Sequence, residues 1–191
     1  MSTAAGILSG AIISEGIAFC LIVYGLRRRG RSVKDIGSGF GAPNHAYVSG
    51  LVVAVIYCSG AIWTIPSIAT SIYHVSYLKL LAVAAACVAG LFEEAFFRGY
   101  LMTALKDRGI GPTIQVIASG VLFGLLHAGW GLGGRYSLRG FVAPIVWTMV
   151  LGLALACVYM QGGRKLGPVI LSHTAIDVVL EPGLLLSALR T

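Results

Sequence analysis

The stretch LAVAAACVAGLFEEAFFRGYL, residues 81–101, decides the fold class and contains the main chemical anomaly of the chain. Its first twelve residues are apolar or small, and Glu93, Glu94 and Arg98 then follow within the same run. A helix that crosses a bilayer needs about 20 mainly apolar residues. An ionisable side chain at that depth is costly and usually marks a functional path or a buried partner. The stretch therefore predicts a transmembrane helix with a polar site inside it.

The composition of the whole chain agrees with this reading. Of its 191 residues, 57% are hydrophobic and 11% are charged, and the mean hydropathy is +0.88. A soluble domain would carry roughly 25% charged residues, so there is too little polar surface here for a water-facing globule. We expect an all-α fold, a polytopic transmembrane bundle of about six helices that forms a single transmembrane domain over residues 1–191.

Apolar segments separated by glycine, proline or basic residues define the predicted helices. We place them at about 5–26, 46–68, 77–106, 112–127, 141–160 and 168–180. Pro112 suits the first turn of the fourth helix. The sequence Glu181-Pro182-Gly183 is expected to end the sixth helix.

The basic residues are distributed as in a membrane protein and not as in a nucleic-acid-binding one, although the formal net charge is +7. Ten of them follow helices 1, 3 and 5, namely Arg27, Arg28, Arg29, Arg31, Lys34, Arg98, Lys106, Arg108, Arg164 and Lys165. The opposite side holds Lys79, Arg135, Arg139 and Arg190. Because cytoplasmic loops are rich in lysine and arginine, we expect a multi-pass protein of the plasma or inner membrane with its N-terminus outside.

Ionisable residues are concentrated in helices 3, 4 and 6. Glu94 and Arg98 are four residues apart, so they share a helix face and are expected to pair. Glu93 lies about 100° further round the helix, and its partner must come from another helix. Glu93 and His127 are each about 17 residues from the turn between helices 3 and 4, which brings them to the same level in antiparallel helices.

The sixth helix contributes two more polar residues, His173 and Asp177, which share a face. His173 is only roughly 12 Å beyond Lys165, whereas Glu93 is roughly 20–25 Å from its own turn. This mismatch in depth disappears if helices 3 and 4 project beyond the bilayer, or if helix 6 starts deeper.

Three motifs in order resemble a known family. EEAFFR at 93–98 looks like E-E-x-x-x-R, FGLLH at 123–127 looks like F-x-x-x-H, and HTAID at 173–177 looks like H-x-x-x-[ND]. Together they are similar to the signature of the CPBP family, which includes CAAX prenyl proteases and Abi-type, bacteriocin-processing or self-immunity proteins. The resemblance covers a core of about 80–180.

The resemblance implies a glutamate-type intramembrane endopeptidase that hydrolyses a peptide bond of a membrane-associated protein. Glu93 and His127 are then expected to activate water, since a carboxylate beside a histidine can take its proton. His173 and Asp177 are expected to hold the oxyanion of the tetrahedral intermediate. Many family members have asparagine in place of Asp177. An ionised aspartate cannot donate a hydrogen bond, so Asp177 either carries a proton or orients His173.

The remaining motif residues are expected to be structural or to bind substrate. Glu94 and Arg98 form a pair that fixes the rotation of helix 3, although Arg98 can alternatively contact the C-terminal carboxylate of a substrate. Phe123 shares a face with His127. Gly120 and Gly124 form a small-xxx-small pair that lets a neighbouring helix approach closely.

Two other functions stay open. Glu93, His127 and His173 have the residue types for three ligands of a zinc peptidase, which leaves a fourth position for water. The chain has no H-E-x-x-H motif, so we expect no cofactor, with zinc as the alternative. A non-enzymatic immunity or transport protein, in which buried charges merely pair, is the other reading.

The expected partners are the lipid bilayer and a protein or peptide substrate with a membrane-embedded or lipidated segment. C-terminal processing, either CAAX-like or of a sorting tail, is the kind of cleavage that the resemblance implies. No nucleic acid is expected to bind.

Overall fold

The computed structural model describes residues 3–65, 68–69, 76–128 and 138–188, and these residues form helices and turns without a strand. Six long helices contain most of them. They are α1 (Thr3–Arg28), α2 (Asn44–Thr64), α3 (Tyr77–Asp107), α4 (Pro112–Leu126), α5 (Leu138–Gln161) and α6 (Gly167–Ala188). A short 3₁₀ turn, Val33–Ile36, lies between α1 and α2. The predicted all-α bundle of about six helices is confirmed.

The helices have the surface of a membrane protein. By length and composition, α1, α2, α3 and α5 can each cross a bilayer, while α4 is apolar but has 15 residues. Large apolar side chains such as Leu21 and Trp63 are exposed, whereas Glu94, Arg98 and His173 are buried. An apolar exterior around a polar interior is expected where lipid is the solvent. The chain is therefore a multi-pass membrane protein.

The predicted end of the sixth helix is wrong. α6 does not stop near Leu180 but continues through Pro182 to Ala188, whereas the other helix ends differ from the predicted ones by four residues or fewer. A proline inside a helix removes one hydrogen bond of the backbone ladder. Membrane helices tolerate this because neighbouring groups satisfy the freed carbonyl, and α5 likewise contains Pro144. The continuation keeps Glu181 in the helix that carries His173.

Glycines allow the close helix contacts that build the interior. A Cβ atom on Gly124 would lie 2.7 Å from the carbonyl oxygen of Ile145, and one on Gly120 would lie 2.8 Å from the backbone nitrogen of Leu153. The predicted close approach at this small-xxx-small pair is confirmed, with α5 as the neighbour. α3 and α6 meet in the same way, because a Cβ atom on Gly90 would lie 2.5 Å from Thr174 Oγ1.

The connections after α1, α3 and α5 lie together at one end of the bundle. Arg31 Nη1 lies 2.5 Å from Asp107 Oδ2, which joins the first connection to the end of α3. The backbone N–H of Leu166 donates to the carbonyl of Gly37 at 2.9 Å, and that of Gly167 donates to Gly39 at 3.1 Å. The three basic connections therefore share one face.

Two expectations about this end change with the structure. His173 contacts Glu94 at 2.8 Å although α6 begins only six residues before it, whereas α3 continues for 13 residues beyond Glu94, so α6 starts deeper than α3 ends, which accounts for the mismatch in depth. Arg98 is fully buried within α3, so its place among the loop cations is wrong. Nine of the ten basic residues counted on that side remain there.

Candidate active site

The imidazole of His173, on the buried face of α6, is the centre of the polar interior. Its Nδ1 lies 2.8 Å from Glu94 Oε1, and its Nε2 lies 3.2 Å from Asp177 Oδ2. Glu93 Oε2 is 3.9 Å from the same Nε2. The close approach of α3 and α6 at Gly90 makes these distances possible. Three carboxylates from two helices thus converge on one buried imidazole.

Arg98 lies in a π-helical segment of α3, Ala95–Leu101, that directly follows Glu94. Its Nη1 donates to Glu94 Oε1 at 2.7 Å, and its Nη2 donates to the carbonyl of Gly152 on α5 at 2.8 Å. Both charged side chains are fully buried. The pair expected from the four-residue spacing is present, and the same Glu94 oxygen contacts His173. One carboxylate therefore links α3 to α6, while Arg98 extends the contact to α5.

Phe123 of α4 packs between the charged groups. The Arg98 guanidinium carbon lies 4.6 Å from the centroid of this ring, a cation–π arrangement. The ring centroid of His173 is 5.4 Å away, and that of His127 is 4.7 Å away. Phe123 is completely buried. It therefore fills the space between the α4 histidine and the cluster on α3 and α6.

His127 follows the last residue of α4 and is half-buried. Its Nδ1 lies 2.8 Å from the carbonyl oxygen of Phe123. A carbonyl only accepts hydrogen bonds, so Nδ1 donates here, and Nε2 of the neutral ring holds the lone pair. The geometry leaves Nε2 as the atom of His127 that can accept a proton.

Glu93 contacts His173, whereas the depth argument from the sequence placed it at the level of His127. Its ionic contact is with His173, and no ion pair joins Glu93 to His127 among the described side chains. Glu93 and Glu94 were expected to point about 100° apart, and they reach opposite nitrogens of a single imidazole. The Glu93 side chain keeps 14% of its surface exposed, whereas Glu94 has none.

Two further carboxylates lie close enough to interact electrostatically with this cluster. Glu181, on α6, interacts with Glu93 and with Glu15 of α1. Glu15 Oε2 is buried and forms no hydrogen bond with the described residues. Sequence reasoning missed Glu181 because Pro182 suggested a helix break. Its spacing of four residues from Asp177 was the available signal. Glu15 is isolated in an apolar helix, and no spacing indicated its neighbours.

Glu93, His127 and His173 are the three residues considered for zinc. Both nitrogens of His173 face carboxylate oxygens, Glu94 at Nδ1 and Asp177 at Nε2. In the part of the chain that the structure describes, no three His, Cys, Asp or Glu side chains are grouped as metal ligands.

Comparison with known proteins gives a family that fits this geometry. A family model described as Rce1-like, type II CAAX prenyl endopeptidase, matches residues 75–179. No curated protein and no solved structure matches the chain significantly. The matched region contains all three motifs, whereas Glu15 and Glu181 lie outside it. Because the match spans more than half of the chain, this protein belongs to the Rce1-like family of type II CAAX prenyl endopeptidases, which are intramembrane proteases.

Proposed function

We propose that the chain is a glutamate-type intramembrane endopeptidase in which Glu93 and His127 activate water, and His173 and Asp177 stabilise the oxyanion. The observation that carries this proposal is the convergence of Glu93, Glu94 and Asp177 on His173 inside a lipid-facing bundle. Burying charged groups costs free energy, and a purely structural ion pair needs only one carboxylate for each cation. Three carboxylates around one imidazole therefore favour a chemical role.

Glu93 is the proton acceptor in this proposal. It retains partial exposure, unlike Glu94, and its contact with His173 Nε2, at 3.9 Å, is too long for a hydrogen bond. A water molecule that binds against Glu93 gives it a proton while the water oxygen attacks the scissile carbonyl carbon. The proton then passes to the leaving amine, so that the peptide bond becomes a carboxylate and an amine. The free Nε2 of His127 accepts the second hydrogen bond of the water.

His173 is the electrophilic group. With Nδ1 bound to Glu94, a proton on Nε2 faces both Asp177 and Glu93. That proton can donate to the oxyanion of the tetrahedral intermediate, the kind of stabilisation that typically contributes most to such reactions. The contact of Asp177 with Nε2 supports a role in orienting His173. No metal is required in this scheme.

The proposed substrate is a protein or peptide with a membrane-embedded or lipidated segment, processed at its C-terminus in a CAAX-like or sorting-tail cleavage. The polar cluster lies inside helices whose outer faces are apolar, so a substrate must reach it from within or beside the membrane. We further propose that the basic connections face the cytoplasm of the plasma or inner membrane, with the N-terminus outside. Cysteine labelling at Ser38 in a cysteine-free background should occur from the cytoplasm, and labelling from outside would reverse this orientation.

Hydrolysis tests the function directly. Purified protein in liposomes is incubated with a quenched farnesylated CAAX peptide or a membrane-anchored sorting-tail peptide, and the products are identified by mass spectrometry. Glu93→Gln should lower the rate by about 100-fold or more, whereas Asp35→Asn, far from the cluster, should cleave normally. A Glu93→Gln rate equal to that of the wild type would overturn the proposal, and inactivation by a chelator with recovery in zinc would favour the metal alternative.

Should the wild type cleave neither peptide, the substrate can be sought without assumption. Membrane-protein termini are compared between cells that express wild type and Glu93→Gln. New C-termini that depend on Glu93 would support the proposal, and identical termini would overturn it.

A further inference from the structure

A cavity separate from the proposed active site lies at the end of the bundle where α1 and α3 finish. Its volume is about 290 Å³, and Leu26, Arg29, Arg31, Tyr100, Asp107 and Arg108 contribute to its lining. Asp107, the last residue of α3, is fourteen residues beyond Glu93. At a rise of about 1.5 Å per residue, this places the cavity roughly 20 Å from the proposed catalytic groups.

The lining has an excess of positive charge. It contains three arginines and one aspartate, and the aspartate is already paired with Arg31. Arg108 Nη1 donates to the carbonyl of Ala104 at 3.1 Å, and the described residues give neither Arg108 nor Arg29 an ion pair. Arg29 and Arg108 therefore line the cavity without an ion pair among the described residues, which favours an anionic ligand.

The cavity also has an apolar wall. Leu26 and Ile36 line it and are almost completely buried, while Tyr100 contributes a half-buried aromatic ring with a hydroxyl group. The arginines lie at or just beyond the ends of two helices that are long and apolar enough to cross a bilayer, and the ends of such helices reach the lipid headgroups. A ligand with a negative head and an apolar tail fits this combination better than a small soluble ion does.

We propose that this cavity binds the phosphate of an anionic phospholipid headgroup, with Arg29 and Arg108 as its main contacts. Arginine is suited to this task because its planar guanidinium can donate two parallel hydrogen bonds to phosphate oxygens. Basic pockets between membrane helices on the cytoplasmic side bind such headgroups. Asp107 competes with the phosphate for Arg31, so it limits the affinity.

Lipid retention measures the proposed binding of an anionic headgroup directly. The purified full chain in neutral detergent is mixed with phosphatidylglycerol or phosphatidylcholine of the same acyl chains, and bound lipid is counted by native mass spectrometry. The wild type should retain phosphatidylglycerol at least fivefold better than phosphatidylcholine. Arg29→Gln and Arg108→Gln should each abolish most of this preference, whereas Asp107→Asn should strengthen it.

Arg27→Gln is the matched control, because it removes the same charge from the same helix end without lining the cavity. Thermal unfolding in phosphatidylcholine should be the same for all these variants, which separates lost binding from lost folding. An equal loss of preference in Arg27→Gln and Arg29→Gln would show diffuse attraction and overturn the proposal. Displacement of the lipid by millimolar inorganic phosphate, with equal stabilisation of the protein, would overturn it in favour of a free-anion site.

Discussion

Glu94 Oε1 accepts hydrogen bonds from two cations or potential cations at once, from Arg98 Nη1 at 2.7 Å and from His173 Nδ1 at 2.8 Å. Glu94, which directly follows the proposed base Glu93, therefore holds α3 against α6. Glu93 is free for chemistry because Glu94 carries the structural contacts.

Removing the Glu94 charge should destabilise the fold strongly. Glu94→Gln leaves the fully buried Arg98 without its carboxylate, and breaking a buried pair of this kind costs about 3–5 kcal/mol. Replacing both residues, as Glu94→Gln with Arg98→Met, should recover part of that loss because no unpaired charge remains. Unfolding in mild detergent measures the effect. Arg31→Gln, which breaks the exposed pair with Asp107, should change stability far less, and equal effects would contradict this account.

Asp177 should tolerate asparagine better than alanine. The amide of Asp177→Asn can accept from His173 Nε2 and can also donate to an oxyanion, so hydrolysis should stay within about tenfold of the wild type. Asp177→Ala should lose about 100-fold or more, comparable to the loss of one oxyanion donor. The rate should be measured across pH for both variants. Asp177→Asn removes the ionisable group but keeps a side chain that can hold His173, whereas Asp177→Ala removes both, so the comparison separates positioning from simple packing. Full activity in Asp177→Ala would exclude a role for this side chain.

Gly124 should not accept even a methyl group. A Cβ atom at this position meets Met149 Cβ at 2.6 Å and the Ile145 carbonyl oxygen at 2.7 Å, and overpacking of this kind costs about 1–3 kcal/mol. Gly124→Ala should therefore lower the unfolding midpoint. Gly10→Ala in α1 is the control, since nothing lies within 4 Å of its Cβ position. If the two variants were equally stable, the α4–α5 contact would be looser than described.

Glu15 should reduce stability in the wild type. Its buried Oε2 lacks a hydrogen-bond partner among the described residues, and Glu93 lies near it with the same charge. Glu15→Gln removes the charge and should raise the free energy of unfolding by about 1 kcal/mol. Ser14→Ala, at the adjacent exposed position, should leave stability almost unchanged. A lower midpoint in Glu15→Gln would show that the ionised carboxylate stabilises the fold, which contradicts this account.

The 3₁₀ turn after α1 should loosen in acid. The backbone N–H of Ser32 donates to Asp35 Oδ2 at 2.6 Å, and the Ser32 hydroxyl donates to the same oxygen at 3.1 Å. These bonds hold the pKa of Asp35 below its usual value. The stabilisation is therefore complete above the unfolded-state pKa and is lost as pH falls through the folded one. The protection factors for amide hydrogen exchange at 33–37, which correct for the intrinsic effect of pH on exchange, should fall over that range, and Asp35→Asn should show no such pH dependence.

The sequence was sufficient for properties that depend on spacing along one helix. The hydropathy of residues 81–101 predicted a membrane helix, and the four-residue spacing of Glu94 and Arg98 predicted their pair. The ion pair follows from helix geometry alone, and the membrane helix follows from the length and hydropathy of the run. The spacing of Gly120 and Gly124 also predicted a close helix contact, although only the structure identifies α5 as the neighbour.

Properties that depend on the relation between helices were not predictable in the same way. The depth of α6 follows from the contact of His173 with Glu94 on α3, which no periodicity encodes. For the same reason, the sequence does not predict the ionic contact of Glu93 with His173, while the common level of Glu93 and His127 stays a prediction. The sequence does not predict Glu181 as part of α6, because proline usually breaks a helix in water but is better tolerated among packed membrane helices.

The π-helical segment Ala95–Leu101 makes the length of α3 as important as its composition. A π turn accommodates one more residue than the α turn it replaces. Deleting a single amino acid there would convert the π turn into an α turn, and the helix face upstream would keep its orientation because the π turn already contains the extra residue. The same deletion in the α-helical part that follows, Met102–Asp107, has no extra residue to absorb it and would turn everything upstream by about 100°. The far end of α3 is anchored by Asp107 to Arg31, so that rotation would fall on Glu93 and Glu94 and carry both away from His173.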